Sequence, residues 1–166
     1  MSENIEFFPE DVFGNFKKSW YSDQLRALNG PSFYAMSLAD ELTAFRFLWL
    51  RSFHNPIAIA IYYSGYLTAK VASGKAGYSP GKVIVDEVIE LDISAISGFQ
   101  KLIDSRRFWK LPSSERQIQG FDGSQWIIEG VDLSRYHIVD RWNGWGIKSL
   151  GLHMLKLSNM TITNIY

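Results

Sequence analysis

Hydrophobic and polar residues alternate along the middle of the chain, between residues 44 and 91. Alternation with a period of two places every second side chain on the same face of a β-strand. Phe45, Phe47 and Trp49 share one face in this way. The same period recurs in three further stretches, separated by short turns such as the Ser-Gly pair at residues 64–65. The pattern predicts four consecutive strands that form an antiparallel meander.

Three other stretches follow the three-and-four spacing of an amphipathic helix. The first covers residues 9–28 and stops at an Asn-Gly-Pro sequence, with a Ser-Asp pair inside it that could divide it into two short helices. The second covers residues 92–107, where Asp92 or Ser94 can serve as the N-cap. The third covers residues 146–157.

These elements predict an α+β fold in which an antiparallel sheet of about five to seven strands packs against two or three α-helices. The predicted order along the chain is α-ββββ-α-ββ-α. A chain of 166 residues has the size of one ordinary domain, so residues 1–166 are predicted to form a single domain. Within it, residues 1–30 form an N-terminal helical segment, which either covers a sheet face or docks loosely.

The stretch from residue 121 to residue 144 predicts a β-hairpin. If its turn is centred on Leu133, antiparallel pairing places Glu129 opposite His137 and Gln125 opposite Arg141. One face of the hairpin is then apolar, and the other carries an acid, an imidazole and a guanidinium. A slip of one residue would exchange the two faces.

Two interpretations of this polar face are open. In the catalytic one, His137 is a general base oriented by Glu129, with Arg141 or Asp122 beside the reacting atoms. In the structural one, Glu129 and His137 form a cross-strand ion pair worth only about 0.2–1 kcal/mol. Ser124 is the nearest hydroxyl, but its surroundings do not form the G-x-S-x-G elbow of a hydrolase.

Aromatic and basic residues at the ends of the predicted strands are candidate binding residues. Indoles and guanidinium groups stack on one another and are enriched at interface hot spots. Trp142 and Trp145 either flank a groove or pack against the sheet, with Arg141 as a cation–π partner or an anion clamp. The candidate binding residues are Arg51, His54, Asp122, Trp126, Arg141 and Trp142.

Composition limits the classes of function. Hydrophobic residues make up 46% of the chain and charged residues 20%, as in a globular protein. The 17 basic and 17 acidic residues give a formal net charge of zero, so no nucleic-acid partner is predicted. No cysteine is present, no apolar stretch is long enough to span a bilayer and no signal peptide precedes the first helix. We therefore expect a cytoplasmic location.

Other familiar motifs do not fit the sequence. The glycine-rich segment at residues 74–82 lacks the spacing of a phosphate-binding loop and leads into a strand rather than a helix. The three histidines, His54, His137 and His153, do not have the spacing of a zinc site. We predict no metal and no cofactor.

Three segments together resemble a family of uncharacterised bacterial proteins. They are FRFLWLRSFHNP at residues 45–56, the glycine-rich GYSPGK at 77–82, and DGSQWIIEG…YHIVDRW at 122–142. The resemblance covers about residues 25–157. It implies a bacterial cytoplasmic or envelope-associated protein, but it supplies no activity. The residues at the positions that define the hairpin pattern are Asp122, Trp126, Glu129, Tyr136, His137, Arg141 and Trp142.

The sequence favours a small non-catalytic binding or interaction module, for example an immunity-like or accessory bacterial protein. Its partner would be a protein or a small ligand, and the oligomeric state is open. One alternative is a small hydrolase-like enzyme that uses a His137/Glu129 acid–base pair. A third is a binder of small anions or nucleotides, with Arg51, Lys75, Lys82 and Arg141 as its cations.

Overall fold

The computed structural model describes residues 4–115 and 123–166 of the chain. Within these residues the chain forms six β-strands and four α-helices. The strands are β1 (Thr43–Arg51), β2 (Ile57–Tyr62), β3 (Tyr66–Ala72), β4 (Val83–Glu90), β5 (Ser124–Asp132) and β6 (Arg135–Trp142). The helices are α1 (Asn15–Ala27), α2 (Phe33–Ala39), α3 (Ile93–Ser105) and α4 (Lys148–Leu157), with a 3₁₀ turn at Phe108–Lys110.

The predicted α+β class and antiparallel sheet are confirmed. The strands lie in the order β4-β3-β2-β1-β5-β6, and every neighbouring pair is antiparallel. The predicted four-strand meander forms one side of the sheet, and the hairpin of β5 and β6 adds to the free edge of β1. The short helix α2 was not predicted. No helix of the described residues is long and apolar enough to cross a membrane.

The central strands are buried on both faces because helices cover both sides of the sheet. Residues of β1 alternate between the two sides. Phe45, Phe47 and Trp49 point into a core with α3 and α4, and we call this side the α3/α4 face. Leu48 and Leu50 point into a core with α1, and we call this side the α1/α2 face. Helix α2 covers the other end of the same face.

The helices of the α1/α2 face differ from the prediction in their limits. Helix α1 runs unbroken through the Ser-Asp pair at residues 22–23, and its side chains Tyr21 and Leu25 are fully buried. Helix α2 begins at Phe33. Ser32 is its N-cap, and the Ser32 hydroxyl accepts a hydrogen bond from the Ala35 amide. It ends at Ala39, and the next residue, Asp40, has backbone angles in the left-handed region.

The helices of the α3/α4 face follow the prediction closely. The Asp92 side chain accepts a hydrogen bond from the Ala95 amide, so the predicted cap of α3 is present. Helix α4 begins at Lys148, two residues later than predicted. It packs tightly on Trp126, because a Cβ atom on Gly151 would lie 2.6 Å from that indole ring. Glycine at this position allows the helix to approach the sheet.

The register of the β5–β6 hairpin differs by one residue from the expectation. Asp132 pairs with Arg135, so the turn has two residues, and Leu133 takes the positive φ that such turns use. The expected pairing of Glu129 with His137 is therefore wrong, since His137 lies opposite Gly130. Because side chains alternate along a strand, the shift places the two candidate catalytic residues on opposite faces of the sheet.

Two helical glycines test the tight packing of α4. Gly98 in α3 has open space where a Cβ would lie, whereas Gly151 does not. We expect Gly98→Ala to raise the free energy of unfolding by about 0.5–1 kcal/mol, since alanine favours the helix. Gly151→Ala should lower it by about 1–3 kcal/mol through overpacking against Trp126. Urea unfolding of both variants measures these changes, and stabilisation by Gly151→Ala would contradict the described packing.

Candidate functional site

Glu129 is buried on the α1/α2 face and serves as the partner of Arg46. The Nε and Nη2 atoms of Arg46 donate to Glu129 Oε1 at 3.0 and 2.6 Å, and the Tyr136 hydroxyl donates to Oε2 at 2.7 Å. The register makes this possible, because Arg46 and Glu129 are directly opposite in the β1–β5 pair. Both oxygens of the carboxylate are hydrogen-bonded within the core, and neither faces His137.

His137 and Arg141 lie on the α3/α4 face and hold the segment 111–115 along the edge of β6. The His137 Nε2–H donates to the Leu111 carbonyl at 2.7 Å, and Arg141 Nη2 donates to the Pro112 carbonyl at 2.7 Å. Arg141 also lies 3.5 Å from the Glu115 carboxylate. Burial lowers the pKa of His137, so its ring is neutral at neutral pH. These two candidate residues therefore form hydrogen bonds with residues 111–115 of the same chain.

A second buried acid, Asp140, joins α1 to β6 and was not among the predicted site residues. Asp140 Oδ2 accepts hydrogen bonds from Lys17 Nζ at 2.9 Å and from the Tyr21 hydroxyl at 2.8 Å. Burial raises the pKa of Asp140, while Lys17 acts in the opposite direction. The alternation of β6 indicates which face Asp140 lies on. The sequence does not indicate that helix α1 packs against that face and supplies the partners Lys17 and Tyr21.

Three of the predicted binding residues meet at one end of the sheet. Arg51 ends β1, His54 lies in the turn that follows, and Trp126 lies near the start of β5. Two residues that were not among the candidates complete the group: Trp49 lies opposite Trp126, and Ser124 lies opposite Arg51. We call these five residues the cradle. Pairing of β1 with β5, which are distant in sequence, brings them together.

The cradle holds residues 164–166 of the same chain. A backbone oxygen of Tyr166 accepts hydrogen bonds from the Ser124 hydroxyl, from Trp126 Nε1 at 3.1 Å and from Trp49 Nε1 at 3.3 Å. The Arg51 Nη1 atom donates to the Asn164 carbonyl at 2.9 Å. The Tyr166 hydroxyl and His54 Nδ1 are 2.7 Å apart. The cradle thus recognises mainly backbone oxygens of this segment.

Arg51 supplies the positive charge of the cradle. Arg51 is buried, and its Cζ atom lies 4.3 Å from the centre of the Trp49 ring. Burial lowers the pKa of Arg51, while its charge interaction with Tyr166 acts in the opposite direction, and an arginine remains protonated at physiological pH. Burial and then the nearby cations Arg51 and Lys75 lower the pKa of His54. Chemically, the site offers hydrogen-bond donors and one buried cation.

A groove lined by aromatic side chains lies at the surface, between α1 and the loop that joins β3 to β4. Its volume is about 410 Å³, and it is lined by Phe16, Ser19, Trp20, Asp23, Gly77 and Tyr78. Phe16 is 79% exposed and Tyr78 71% exposed. Phe53 packs beside Tyr78, with their ring centres 6.4 Å apart. We call this feature the aromatic groove.

The aromatic groove has a rigid base. The Trp20 indole lies next to Phe16 on α1, with ring centres 6.0 Å apart, and its Nε1 donates to the Ala76 carbonyl at 2.8 Å. The loop is fixed in turn to the end of β1, since the amides of Ala76 and Gly77 donate to the His54 and Ser52 carbonyls. The groove is therefore formed by parts of the chain that are tied to the sheet.

The remaining candidates are not members of the cradle or of the aromatic groove. Trp142 is half-buried and lies over Gly123, and Trp145 is exposed. Lys75 is exposed beside the cradle, whereas Arg141, opposite Trp126 in the β5–β6 pair, donates to the Pro112 carbonyl. Asp122 lies outside the described residues. Within the described part of the chain, no cluster of acidic residues and histidines could hold a metal ion.

No protein-family model matches the chain, and a search of curated proteins finds no match to it.

The lowered pKa of His137 predicts a pH dependence of stability. Its ordinary pKa is 6.5, and in the folded state the pKa lies lower. As the pH falls through this window, the unfolded chain takes up a proton that the folded chain does not, so stability decreases. His137→Gln keeps an amide donor for Leu111 but removes the proton uptake. We expect the loss of Tm between pH 7.5 and 5.0 to be smaller in this variant, and an unchanged loss would contradict the assignment.

Proposed function

We propose that this protein is a small non-catalytic binding module and that the aromatic groove is its recognition surface. One observation carries the proposal: Phe16 and Tyr78 are largely exposed and flank a concave surface on a rigid base. Single exposed apolar residues are common on proteins, but a group of aromatic residues around a groove is typical of an interaction site. Within this class, an immunity-like or accessory role in the bacterial cytoplasm is one instance, by analogy with other small interaction modules.

The groove suits an apolar side chain of a protein partner. Its volume of about 410 Å³ lies within the range of pockets that enclose such groups. Aromatic residues supply large contact areas and lose little conformational entropy on binding, which is why they dominate interface hot spots. The formal net charge of the chain is zero, so association would depend on this apolar contact rather than on long-range attraction.

The geometry gives less support to the hydrolase-like alternative. That hypothesis required Glu129 to orient His137, and the two side chains lie on opposite faces of the sheet. Each is instead hydrogen-bonded to another group: Glu129 to Arg46 and Tyr136, and His137 to the Leu111 carbonyl. Neither contact leaves a base poised beside a nucleophile.

The groove can be tested with a double variant, Phe16→Ser/Tyr78→Ser. Both side chains are exposed, so the free energy of unfolding should change by no more than about 1 kcal/mol. Affinity for a protein partner should fall at least about tenfold for each residue. The measurement is affinity capture from cells that carry this protein, followed by titration of each captured protein against the purified variants.

Ile93→Ser is the matched control, since Ile93 is 87% exposed and lies on α3, away from the groove. A partner that binds the unaltered chain and the Ile93→Ser chain but not the groove variant supports the proposal. If every captured protein binds all three chains equally well, the aromatic groove is not the recognition surface.

A further inference from the structure

We propose that the free edge of β4 is a docking site for an extended segment of a partner protein, in which basic and apolar side chains alternate on one face. The segment would add to the sheet as a further strand through backbone hydrogen bonds, a mode known as β-augmentation. This inference is independent of the aromatic groove, because no residue of β4 lines that groove.

The two edges of the sheet differ. β6 forms one edge, and the chain covers it with residues 111–115, since the Asp140 amide donates to the Ser113 carbonyl at 2.9 Å. β4 forms the other edge, and no segment of the described chain pairs with its open side. An uncovered strand edge presents unpaired N–H and C=O groups to any extended chain.

The register of β3 and β4 shows which backbone groups face the open edge. The Leu91 amide donates to the Gly65 carbonyl at 2.9 Å, and these two residues continue the pairing of the ladder. Hydrogen-bonded and non-hydrogen-bonded pairs alternate along an antiparallel ladder. The N–H and C=O groups of Asp86, Val88 and Glu90 therefore point away from β3, toward the open edge.

The side chains on one face of β4 are also uncovered. Val85 and Ile89 pack against the core of the α3/α4 face, so the residues between them lie on the α1/α2 face. On that face Ile84 is 59% exposed and Val88 is 68% exposed, so the helices do not cover this end of the sheet. A strand with apolar side chains at the same spacing would pack against both residues.

The acids of β4 indicate the charge of the strand that fits. Among the described residues, no cation forms an ion pair with Asp86, Glu87 or Glu90. Lys70 lies opposite Asp86, but its Nζ donates to the Asn29 carbonyl at 3.0 Å. Opposite charges directly across two strands stabilise their pairing. Basic side chains on the partner segment would therefore face these carboxylates.

The same acids disfavour a second copy of this chain as the occupant. Two copies of β4 that pair about a two-fold axis perpendicular to the sheet place one residue opposite itself. In the two registers with the longest overlap, that residue is Asp86 or Glu87. Like charges directly opposite each other destabilise the pairing. A basic segment of another protein does not encounter this repulsion.

Titration of the full chain with synthetic strands tests the proposal. The probe is the peptide Lys-Thr-Val-Lys-Lys-Val-Ile-Thr with both ends blocked, whose lysines lie opposite Asp86, Glu87 and Glu90 in an antiparallel register. A matched peptide carries Glu in place of each Lys. Two further versions of the lysine peptide carry N-methyl groups on one or the other alternate set of residues, since only one set points its N–H groups at β4. Calorimetry gives the Kd values, and amide hydrogen exchange reports on β4.

We expect saturable binding of the lysine peptide, with a Kd at least about tenfold below that of the glutamate peptide. Exchange at the amides of Asp86, Val88 and Glu90 should slow on binding, whereas Glu87 and Ile89 already bond to β3. N-methylation of one set should abolish binding, and N-methylation of the other set should preserve it.

The double variant Asp86→Asn/Glu90→Gln removes two charges with little change in shape, and it should raise the Kd of the lysine peptide at least about threefold. Glu10→Gln/Asp11→Asn is the matched control, since it removes the same charge outside the sheet, and its Kd should stay within about twofold.

Equal affinity for the lysine and glutamate peptides would overturn the proposal, and so would equal effects of the two N-methylation patterns. Absence of binding, or unchanged exchange along β4 at saturating peptide, would overturn it as well. A dimer of the unaltered chain that protects the same three amides would identify a second copy as the occupant and would likewise contradict it.

Discussion

The buried ion pair between Arg46 and Glu129 is the interaction on which the arrangement of the sheet depends. Helices cover the middle of β1 and β5 on both faces, so the charges of Arg46 and Glu129 have no access to water. Burying one charge without the other would cost several kcal/mol. The pair therefore favours the single register in which Arg46 and Glu129 are directly opposite. A slip of one residue would place the Glu129 carboxylate among the aromatic rings of the α3/α4 face.

This register also sets the position of every candidate group. With β1 and β5 aligned, Trp49 meets Trp126 and Arg51 meets Ser124, which creates the cradle at one end of the two central strands. The same register, together with the two-residue turn before β6, separates Glu129 from His137. The polar residues that looked like one site in the sequence are thus divided among the core, the edge of β6 and the end of the sheet.

The sequence predicts local elements better than contacts between distant ones. The meander β1–β4 and the cap of α3 at Asp92 follow from alternation and capping chemistry, which need only neighbouring residues. The hairpin register could not be predicted, because its turn, Leu133-Ser134, lacks the Asn-Gly or Asp-Gly pair that fixes a two-residue turn. The cradle could not be predicted either, since β1 and β5 are far apart in sequence and residues 164–166 follow no period. Helix α2 is too short for a periodic signal.

Double-mutant cycles test most directly whether Glu129 interacts with Arg46 rather than with His137. Free energies of unfolding in urea would be measured for Arg46→Met, Glu129→Leu and His137→Gln, alone and in pairs. The account predicts a coupling of about 2–3 kcal/mol between Arg46 and Glu129, since losing one partner alone leaves a buried charge. It predicts a coupling within about 0.5 kcal/mol between Glu129 and His137. The reverse pattern would contradict it.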